Sequence, residues 1–214
     1  MRIPLILCTL FSLSINLNAM EKKPYHHVYK DGKLHAFRNL EGGPKRDPNF
    51  KWDWKVFREE KKKLKIDYPP EHVIDKQIVL KNLEKHKSDS YVMWLDHASF
   101  IIKLGNTTII TDPVFEKNYG PMVFGPKKYI ESPLTLKELP KIDLFLLTHN
   151  HYDHMSIRTI KNFPYKNAKV LVPLKLGKYF TKNGYKKGTV KEMDWFDKIK
   201  INDEITVTML PSQH

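Results

Sequence analysis

The fold of this chain is decided by one stretch, Ile142-Asp143-Leu144-Phe145-Leu146-Leu147-Thr148-His149-Asn150-His151-Tyr152-Asp153-His154. Its first half is a short apolar run, which is typical of a buried strand. Its second half carries four side chains of metal-binding types in the pattern H-x-H-x-D-H. A strand of this kind fixes the backbone, and the loop after it can turn its side chains toward one point. The stretch therefore predicts a metal site at the carboxyl end of a buried strand.

The spacing of the loop side chains predicts how they share metal ions. His149 and His151 are two residues apart, so in extended backbone they project to the same side and can bind one ion. Asp153 and His154 follow at once and are better placed to bind a second ion. Imidazole and carboxylate ligands suit zinc, and also iron or manganese. Two ions about 3.5–4 Å apart would hold a bridging hydroxide, a strong nucleophile at neutral pH. The alternative interpretation is a solvated, His-rich loop after a core strand.

Three further segments, taken together with this loop, resemble one protein family. They are Trp94-Leu95-Asp96-His97-Ala98-Ser99-Phe100, Thr111-Asp112-Pro113-Val114-Phe115 and Leu210-Pro211-Ser212-Gln213-His214. In this order the motifs resemble the metallo-β-lactamase superfamily, and within it the branch of N-acyl-phosphatidylethanolamine-hydrolysing phospholipase D and its bacterial relatives. The resemblance covers residues 25–214 and is most specific for the superfamily. It says least about the substrate.

Local patterns in the second half of the chain predict alternating strands and helices. Gly105-Asn106 predicts a hairpin between two of the strands. The order of elements suits a layered α/β domain, and the resemblance implies the N-terminal half of an αββα sandwich with an N-terminal extension. The predicted strands are 91–95, 99–104, 107–111, 143–148, 168–172, 199–201 and 205–210, and the predicted helices are 156–163 and 174–182.

The first 19 residues predict a secretory signal peptide, with Arg2 before an apolar run and Ala19 at a plausible cleavage position. The apolar run is short for a membrane span, which needs about 20 residues. An uncleaved anchor, or a true start at Met20, is the alternative. We therefore predict a signal peptide at 1–19, a basic, aromatic-rich extension at 20–90, and a metallo-β-lactamase-type domain at 91–214. The protein is expected to be exported, to the periplasm or to a membrane.

The net charge and the cysteine content limit which metal ligands, nucleophiles and binding partners this protein can have. The net charge is +13, from 37 Lys and Arg against 24 Asp and Glu. Such a surface attracts anionic lipid or nucleic acid, but the excess lysine is scattered and carries little weight. Cys8 is the one cysteine and lies in the predicted signal peptide, so a mature chain would lack thiol ligands and thiol nucleophiles. The expected partner is a phospholipid or another ester, with a membrane surface as a candidate and no nucleic acid; the oligomeric state stays open.

The resemblance implies a role for each metal ligand. It adds His214 to His149 and His151 on the first of two zinc ions, although a terminal histidine by itself would be unremarkable. It leaves Asp153 and His154 on the second ion. It also makes Asp153 the catalytic carboxylate, which would orient the nucleophile and accept its proton.

Two further residues take a supporting role by resemblance. Asp112 would orient a metal-bound histidine from outside the coordination sphere, and His97 would lie near the floor of the active site. By residue type alone, Asp112 is a turn-forming aspartate and His97 a histidine in a strand bulge. Asp96 stands where members of the family often have glycine, so this turn is expected to differ here.

The implied function is a metal-dependent hydrolase, with phosphodiesterase activity on N-acyl-phosphatidylethanolamine-like phospholipids through the hydroxide that bridges the two zinc ions. A hydrolase of another ester, lactone or amide is the first alternative, because a shared fold does not fix the substrate. A non-catalytic remnant is the second. The family carries a bridging carboxylate and a final histidine downstream of the position that matches His214, so we expect the 214-residue form to be poorly stable and inactive. The DNA that follows the codon for His214 would distinguish an enzyme from a remnant.

Overall fold

The computed structural model describes residues 24–39, 49, 51, 53–63, 73–120, 125–128 and 130–212. The predicted signal peptide and His214 lie outside the described residues. The chain divides into two compact units, one formed by Met1–Phe50 with Ser212–His214 and the other by Lys51–Pro211. The predicted domain boundary near residue 90 stays a prediction.

The first unit contains an antiparallel hairpin of two strands, β1 (His27–Lys30) and β2 (Lys33–Phe37). Asp31 and Gly32 join them, with φ angles of 51° and 71°. Two consecutive residues with positive φ match the twist of neighbouring strands, which explains this tight connection. No pattern in the sequence predicted this hairpin.

The second unit is built around a six-stranded mixed sheet with the strand order β3-β4-β5-β6-β7-β8. The strands from β3 to β5 pair antiparallel, and those from β5 to β8 pair parallel. The antiparallel hairpin predicted at Gly105-Asn106 joins β4 to β5. The six strands are β3 (Tyr91–Asp96), β4 (Ser99–Leu104), β5 (Thr107–Thr111), β6 (Leu144–Leu146), β7 (Lys169–Pro173) and β8 (Val190–Met193).

Helices and a small second sheet complete this unit. Two parallel strands that are neighbours in a sheet need a crossover connection between them. Along the chain, α3 lies in the connection from β6 to β7, and α4 lies in the connection from β7 to β8. No helix among the described residues has both the length and the apolar character that a membrane span needs. The helices are α1 (Trp54–Lys63), α2 (Lys76–Lys85), α3 (Ile157–Asn162) and α4 (Gly177–Thr181), and the small antiparallel sheet pairs β9 (Lys198–Lys200) with β10 (Thr206–Thr208).

Buried side chains lie on both faces of the six-stranded sheet. Along β5, Ile110 belongs to the larger apolar cluster and Ile109 to the smaller one, because successive side chains in a strand point to opposite faces. In the larger cluster, Phe145 packs edge-on against Phe163 and Phe180, with ring centroids 5.2 and 5.1 Å apart. A mixed sheet that is buried on both faces confirms the predicted α/β class.

The helix boundaries follow from local chemistry. Helix α3 begins where Ser156 Oγ accepts a hydrogen bond from the backbone N–H of Thr159, at 3.0 Å, and it ends before Pro164. Helix α4 is shorter than the predicted range 174–182. Lys175 has a φ of 71°, a left-handed conformation that does not continue a right-handed helix, so α4 begins only at Gly177.

A salt bridge joins α2 to the turn at residues 135–138. Lys76 Nζ lies 2.7 Å from Glu138 Oε1, and Glu138 Oε2 accepts hydrogen bonds from the backbone N–H and the hydroxyl of Thr135, both at 2.8 Å. The bond from Lys76, followed by the two from Thr135, lowers the pKa of Glu138 to about 2. The charged form of this carboxyl group is therefore favoured in the folded chain.

Replacing Glu138 with Gln is expected to destabilise the fold at neutral pH but not at pH 2. The pKa of Glu138 falls from 4.5 to about 2 on folding, so its contribution is fully present above pH 4.5 and is lost as the pH falls to about 2. Urea unfolding midpoints of both proteins between pH 2 and 7 would measure the difference. Glu84→Gln is the matched control, since Glu84 pairs with Lys87 on an exposed surface and should matter less. An equal effect of Glu138→Gln at both pH values would contradict the prediction.

Candidate metal centre

The H-x-H-x-D-H loop follows the carboxyl end of β6 and folds back on itself. The backbone N–H groups of His154 and Met155 both donate to the carbonyl of His151, at 3.0 and 2.8 Å. This turn brings the rings of the loop together. The centroid of the His149 ring lies 4.0 Å from that of His154 and 4.7 Å from that of His151. Side chains that are adjacent in the sequence are thus also adjacent in space.

Asp112, at the end of β5, anchors this loop. Its Oδ1 accepts a hydrogen bond from the backbone N–H of Thr148 at 2.7 Å. Its Oδ2 accepts one from the Thr148 hydroxyl at 2.5 Å and one from His154 Nδ1 at 2.8 Å. Because β5 and β6 are parallel neighbours, their carboxyl ends meet at the same edge of the sheet. One buried carboxylate therefore fixes both the start of the loop and one of its predicted ligands.

These contacts define the tautomers of two histidines. The Thr148 hydroxyl has a single hydrogen, which it donates to Asp112, so it accepts a hydrogen bond from His149 Nδ1 at 3.0 Å. His154 Nδ1 donates to Asp112 in the same way. With hydrogen on both Nδ1 atoms, the neutral rings of His149 and His154 would each present at Nε2 the lone pair that a cation needs. The donor set thus fits a metal ion.

Asp153 lies between two histidines that come from different parts of the chain. Its Oδ2 is 3.0 Å from His97 Nε2 and 3.8 Å from His154 Nε2. Each of the three residues offers one ligand atom, and these atoms all lie within 4.8 Å of one another. The structure therefore places His97 beside the predicted ligands of the second ion.

A buried ion pair lies next to the turn that carries His97. Lys128 Nζ is 2.5 Å from Asp96 Oδ2 and also donates to the carbonyl of Val114. The side chains of Lys128 and Asp96 are only 2% and 4% exposed. Lys128 Nζ also lies 5.3 Å from the centroid of the Tyr119 ring, which is itself 5.4 Å from the His97 ring.

The Tyr119 hydroxyl stays protonated in this environment. Burial raises the pKa of Tyr119, and the negative charges of Asp96 and Asp153 raise it further. Sequence reasoning missed both Tyr119 and Lys128. The aspartate at position 96 was a signal that some cation would lie nearby, because a buried carboxylate needs a cationic partner, but nothing in the sequence singled out Lys128 or Tyr119.

Among the predicted site residues, the structure brings together His149, His151, Asp153 and His154 in one loop, with Asp112 and His97 in contact with it. His214 lies outside the described residues, so its place beside the first ion is a prediction. The assignment of these side chains as metal ligands also stays a prediction. What the geometry adds is their grouping and the orientation of two imidazole rings.

The family follows from a comparison with known sequences. The model of a protein family described as "Beta-lactamase superfamily domain" matches residues 107–214, half of the chain. The chain belongs to the metallo-β-lactamase superfamily. The matched region contains Asp112 and the complete H-x-H-x-D-H loop, so the anchored loop described above lies in the part of the chain that defines the family.

Two relatives of this chain are named for different activities, one for a specific phospholipid and one for metal dependence alone. The chain is similar to N-acyl-phosphatidylethanolamine-hydrolyzing phospholipase D 1 of Caenorhabditis elegans, with 32% identity over 137 residues, covering 60% of this chain and 38% of the relative. It is also similar to a UPF0173 metal-dependent hydrolase of Caldivirga maquilingensis, with 32% identity over 124 residues, covering 58% and 48%. The chain thus spans less than half the length of either relative.

Among solved structures, the chain is similar to CmlA, a diiron β-hydroxylase from Streptomyces venezuelae. The two share 27% sequence identity with a TM-score of 0.45, and the match covers 58% of this chain and 24% of CmlA.

Proposed function

We propose that this protein is a metal-dependent hydrolase that cleaves the phosphodiester bond of an N-acyl-phosphatidylethanolamine-like phospholipid. The observation that carries the proposal is the loop after β6, in which His149 and His154 are held with Nε2 ready to bind a cation. Imidazole and carboxylate donors suit zinc, and also iron or manganese. We propose zinc as the resident metal.

The chain's own side chains have separate tasks in this reaction. A bound cation would supply charge stabilisation at the reacting phosphate. Asp153, which is partly exposed, would orient the attacking water and accept its proton. Asp112 and Thr148 keep the imidazole rings in their binding tautomers, so no reorganisation is needed when substrate arrives.

One observation supports a phospholipid as the substrate. The relative in Caenorhabditis elegans is named as an enzyme that hydrolyses N-acyl-phosphatidylethanolamine. The net charge of +13 is compatible with an anionic lipid surface but does not argue for one, because the excess lysine is scattered. The second candidate is a hydrolase of another ester, lactone or amide. It is favoured by the relative in Caldivirga maquilingensis, whose name specifies metal dependence without a substrate.

Vesicles that contain N-acyl-phosphatidylethanolamine would test the proposal. When the chain is expressed together with any residues encoded after His214, the zinc-loaded protein is expected to release phosphatidic acid and an N-acylethanolamine. The reaction should stop when a chelator removes the metal and resume when zinc is restored. His151→Ala should abolish turnover. His86→Ala is the matched control, because His86 is a histidine outside the loop, where it pairs with Asp89 at 2.8 Å.

Three other results of this experiment would lead to different conclusions. A protein that binds metal and cleaves soluble esters, but not the phospholipid, would support the second candidate. A protein that binds metal but turns over none of these substrates would support a non-catalytic remnant. A protein that binds no metal would contradict the proposal as a whole.

A further inference from the structure

We propose that the hydroxyl of Tyr119 donates a hydrogen bond to a non-bridging oxygen of the substrate's phosphate group. This inference rests on the proposed phosphodiesterase function and extends it, because it names a residue outside the ligand loop that recognises the substrate. It concerns the substrate alone and leaves the predicted set of metal ligands unchanged.

Tyr119 lies beside the candidate metal centre. The centroid of its ring is 5.4 Å from that of His97, and His97 Nε2 is 3.0 Å from Asp153 Oδ2. One imidazole ring therefore separates the phenol ring from Asp153. The side chains of His97 and Asp153 are 42% and 38% exposed, so this side of the centre is open to a ligand from solvent. A phosphate group bound next to Asp153 would lie near Tyr119.

The hydroxyl of Tyr119 has a hydrogen to offer such a ligand. It forms no hydrogen bond with any residue that the structure describes. Burial, followed by the charges of Asp96 and Asp153, raises the pKa of Tyr119, so the phenol is neutral at physiological pH. A neutral phenol donates one hydrogen bond, and a bond to a charged phosphate oxygen is stronger than one between neutral groups.

The backbone and one lysine hold Tyr119 in place. Its N–H donates to the carbonyl of Pro126 at 2.9 Å, and the N–H of Lys128 donates to the carbonyl of Lys117 at 3.0 Å. Gly125 has a φ of 114°, and a Cβ atom there would lie only 1.8 Å from the carbonyl oxygen of Tyr119, so this close approach requires glycine. The buried Lys128 Nζ lies 5.3 Å from the centroid of the phenol ring. A side chain that is already ordered costs less to fix when a ligand binds.

A hydrogen-bond donor at this position distinguishes classes of substrate. A phosphodiester is negatively charged before and during its cleavage, so the bond from Tyr119 would strengthen binding of the ground state and of the transition state. A carboxylic ester or a lactone is neutral before it reacts and gains less from the same donor. Tyr119 would thus favour a phospholipid over the substrates of the second candidate function.

A purely structural role for Tyr119 makes a different prediction. If the ring only packed against His97 and Lys128, phenylalanine could replace it, because Tyr119→Phe keeps the ring and removes the hydroxyl alone. Phosphate binding would then be unchanged. Tyr119→Phe therefore separates a residue that binds substrate from one that only packs.

Inorganic phosphate would serve as the probe, titrated by calorimetry into the zinc-loaded chain expressed with any residues encoded after His214. We expect Tyr119→Phe to weaken phosphate binding by about 10–100-fold, the usual effect of losing a hydrogen bond to a charged group. Elemental analysis should show an unchanged zinc content. Tyr179→Phe is the matched control, because Lys178 Nζ also lies 5.3 Å from the Tyr179 ring, but on α4.

Kinetics on vesicles that contain N-acyl-phosphatidylethanolamine would distinguish a lipid phosphate from free phosphate. For the lipid, Tyr119→Phe should raise KM by a similar factor and leave kcat almost unchanged, since the bond is made in both the ground state and the transition state. A fall in kcat with KM unchanged would contradict this uniform binding.

The possible results separate this inference from the proposed function. The hydrogen bond is overturned if Tyr119→Phe binds phosphate as the wild type does, or if it loses zinc together with phosphate. It is also overturned if the zinc-loaded wild type binds no phosphate or if Tyr179→Phe weakens binding equally. If only Tyr119→Phe weakens phosphate binding but the wild type cleaves no phospholipid, Tyr119 is confirmed as a phosphate ligand and the proposed lipid substrate is wrong.

Discussion

Replacing Asp112 with Asn is expected to weaken metal binding by about 10–100-fold and to destabilise the metal-free fold by roughly 1–3 kcal/mol. The carboxylate accepts three hydrogen bonds, two from Thr148 and one from His154 Nδ1. An amide has one oxygen, so its NH2 group would face at least one of these donors in either orientation. The tautomer of His154 would no longer be fixed, and the start of the loop would lose part of its anchor.

Asp143→Asn is the matched control for Asp112→Asn. Asp143 also lies in the second unit and accepts a hydrogen bond from the backbone N–H of Thr108 at 3.0 Å, but it precedes β6, whereas the loop follows that strand. We expect it to lower stability without changing metal affinity. Competition with a chromophoric chelator would measure the affinity, and urea unfolding of the metal-free proteins would measure the stability. Unchanged affinity in Asp112→Asn would show that the carboxylate has a structural role only.

Lys128→Met is expected to destabilise the fold by about 3–5 kcal/mol, the usual cost of leaving one charge of a buried ion pair without its partner. Both charged side chains of this pair are almost fully buried, so water cannot solvate the Asp96 carboxylate that remains. The double variant Asp96→Leu with Lys128→Met should recover most of the loss, because no isolated charge is left. Urea unfolding of the wild type, the single variant and the double variant would measure both changes.

An exposed pair provides the control for Lys128→Met. Lys200 Nζ lies 2.6 Å from Asp203 Oδ1, with side chains that are 64% and 98% exposed. Lys200→Met should therefore cost less than about 1 kcal/mol. If Lys128→Met had a similarly small effect, burial of the pair would not control its energy and the prediction would be wrong.

The sequence predicted those features of the site that are local in the chain. The loop and its strand are contiguous, so residue types and spacing alone pointed to ligands grouped after β6. The contact of Asp112 with His154 was implied only by the family resemblance, because the two residues are 42 positions apart and no local pattern links them. The start of α4 was mispredicted for a similar reason. The helix begins after Lys175 because Lys175 has a left-handed backbone conformation, and nothing in a lysine-rich sequence marks that one lysine as left-handed.

The buried partner of Asp96 was beyond prediction from sequence for a related reason. Lys128 is one of 37 basic residues, and nothing in its neighbourhood marks it as buried. Only the packing of the segment around residues 125–128 against the turn at Asp96 removes it from water. The identity of a buried cation in a basic chain is therefore a property of the tertiary structure.

The parallel pairing of β5 and β6 has a consequence for how long the protein persists in a cell. Asp112 and Thr148 are 36 positions apart and meet only when these two strands are neighbours, so an unfolded chain has no oriented loop to offer an ion. A metal that binds only the native state would stabilise it by about 4 kcal/mol at a free concentration 1,000 times its Kd. Starvation for that metal would then increase the unfolded fraction and expose the chain to proteolysis. The supply of that metal would therefore affect the abundance of this protein.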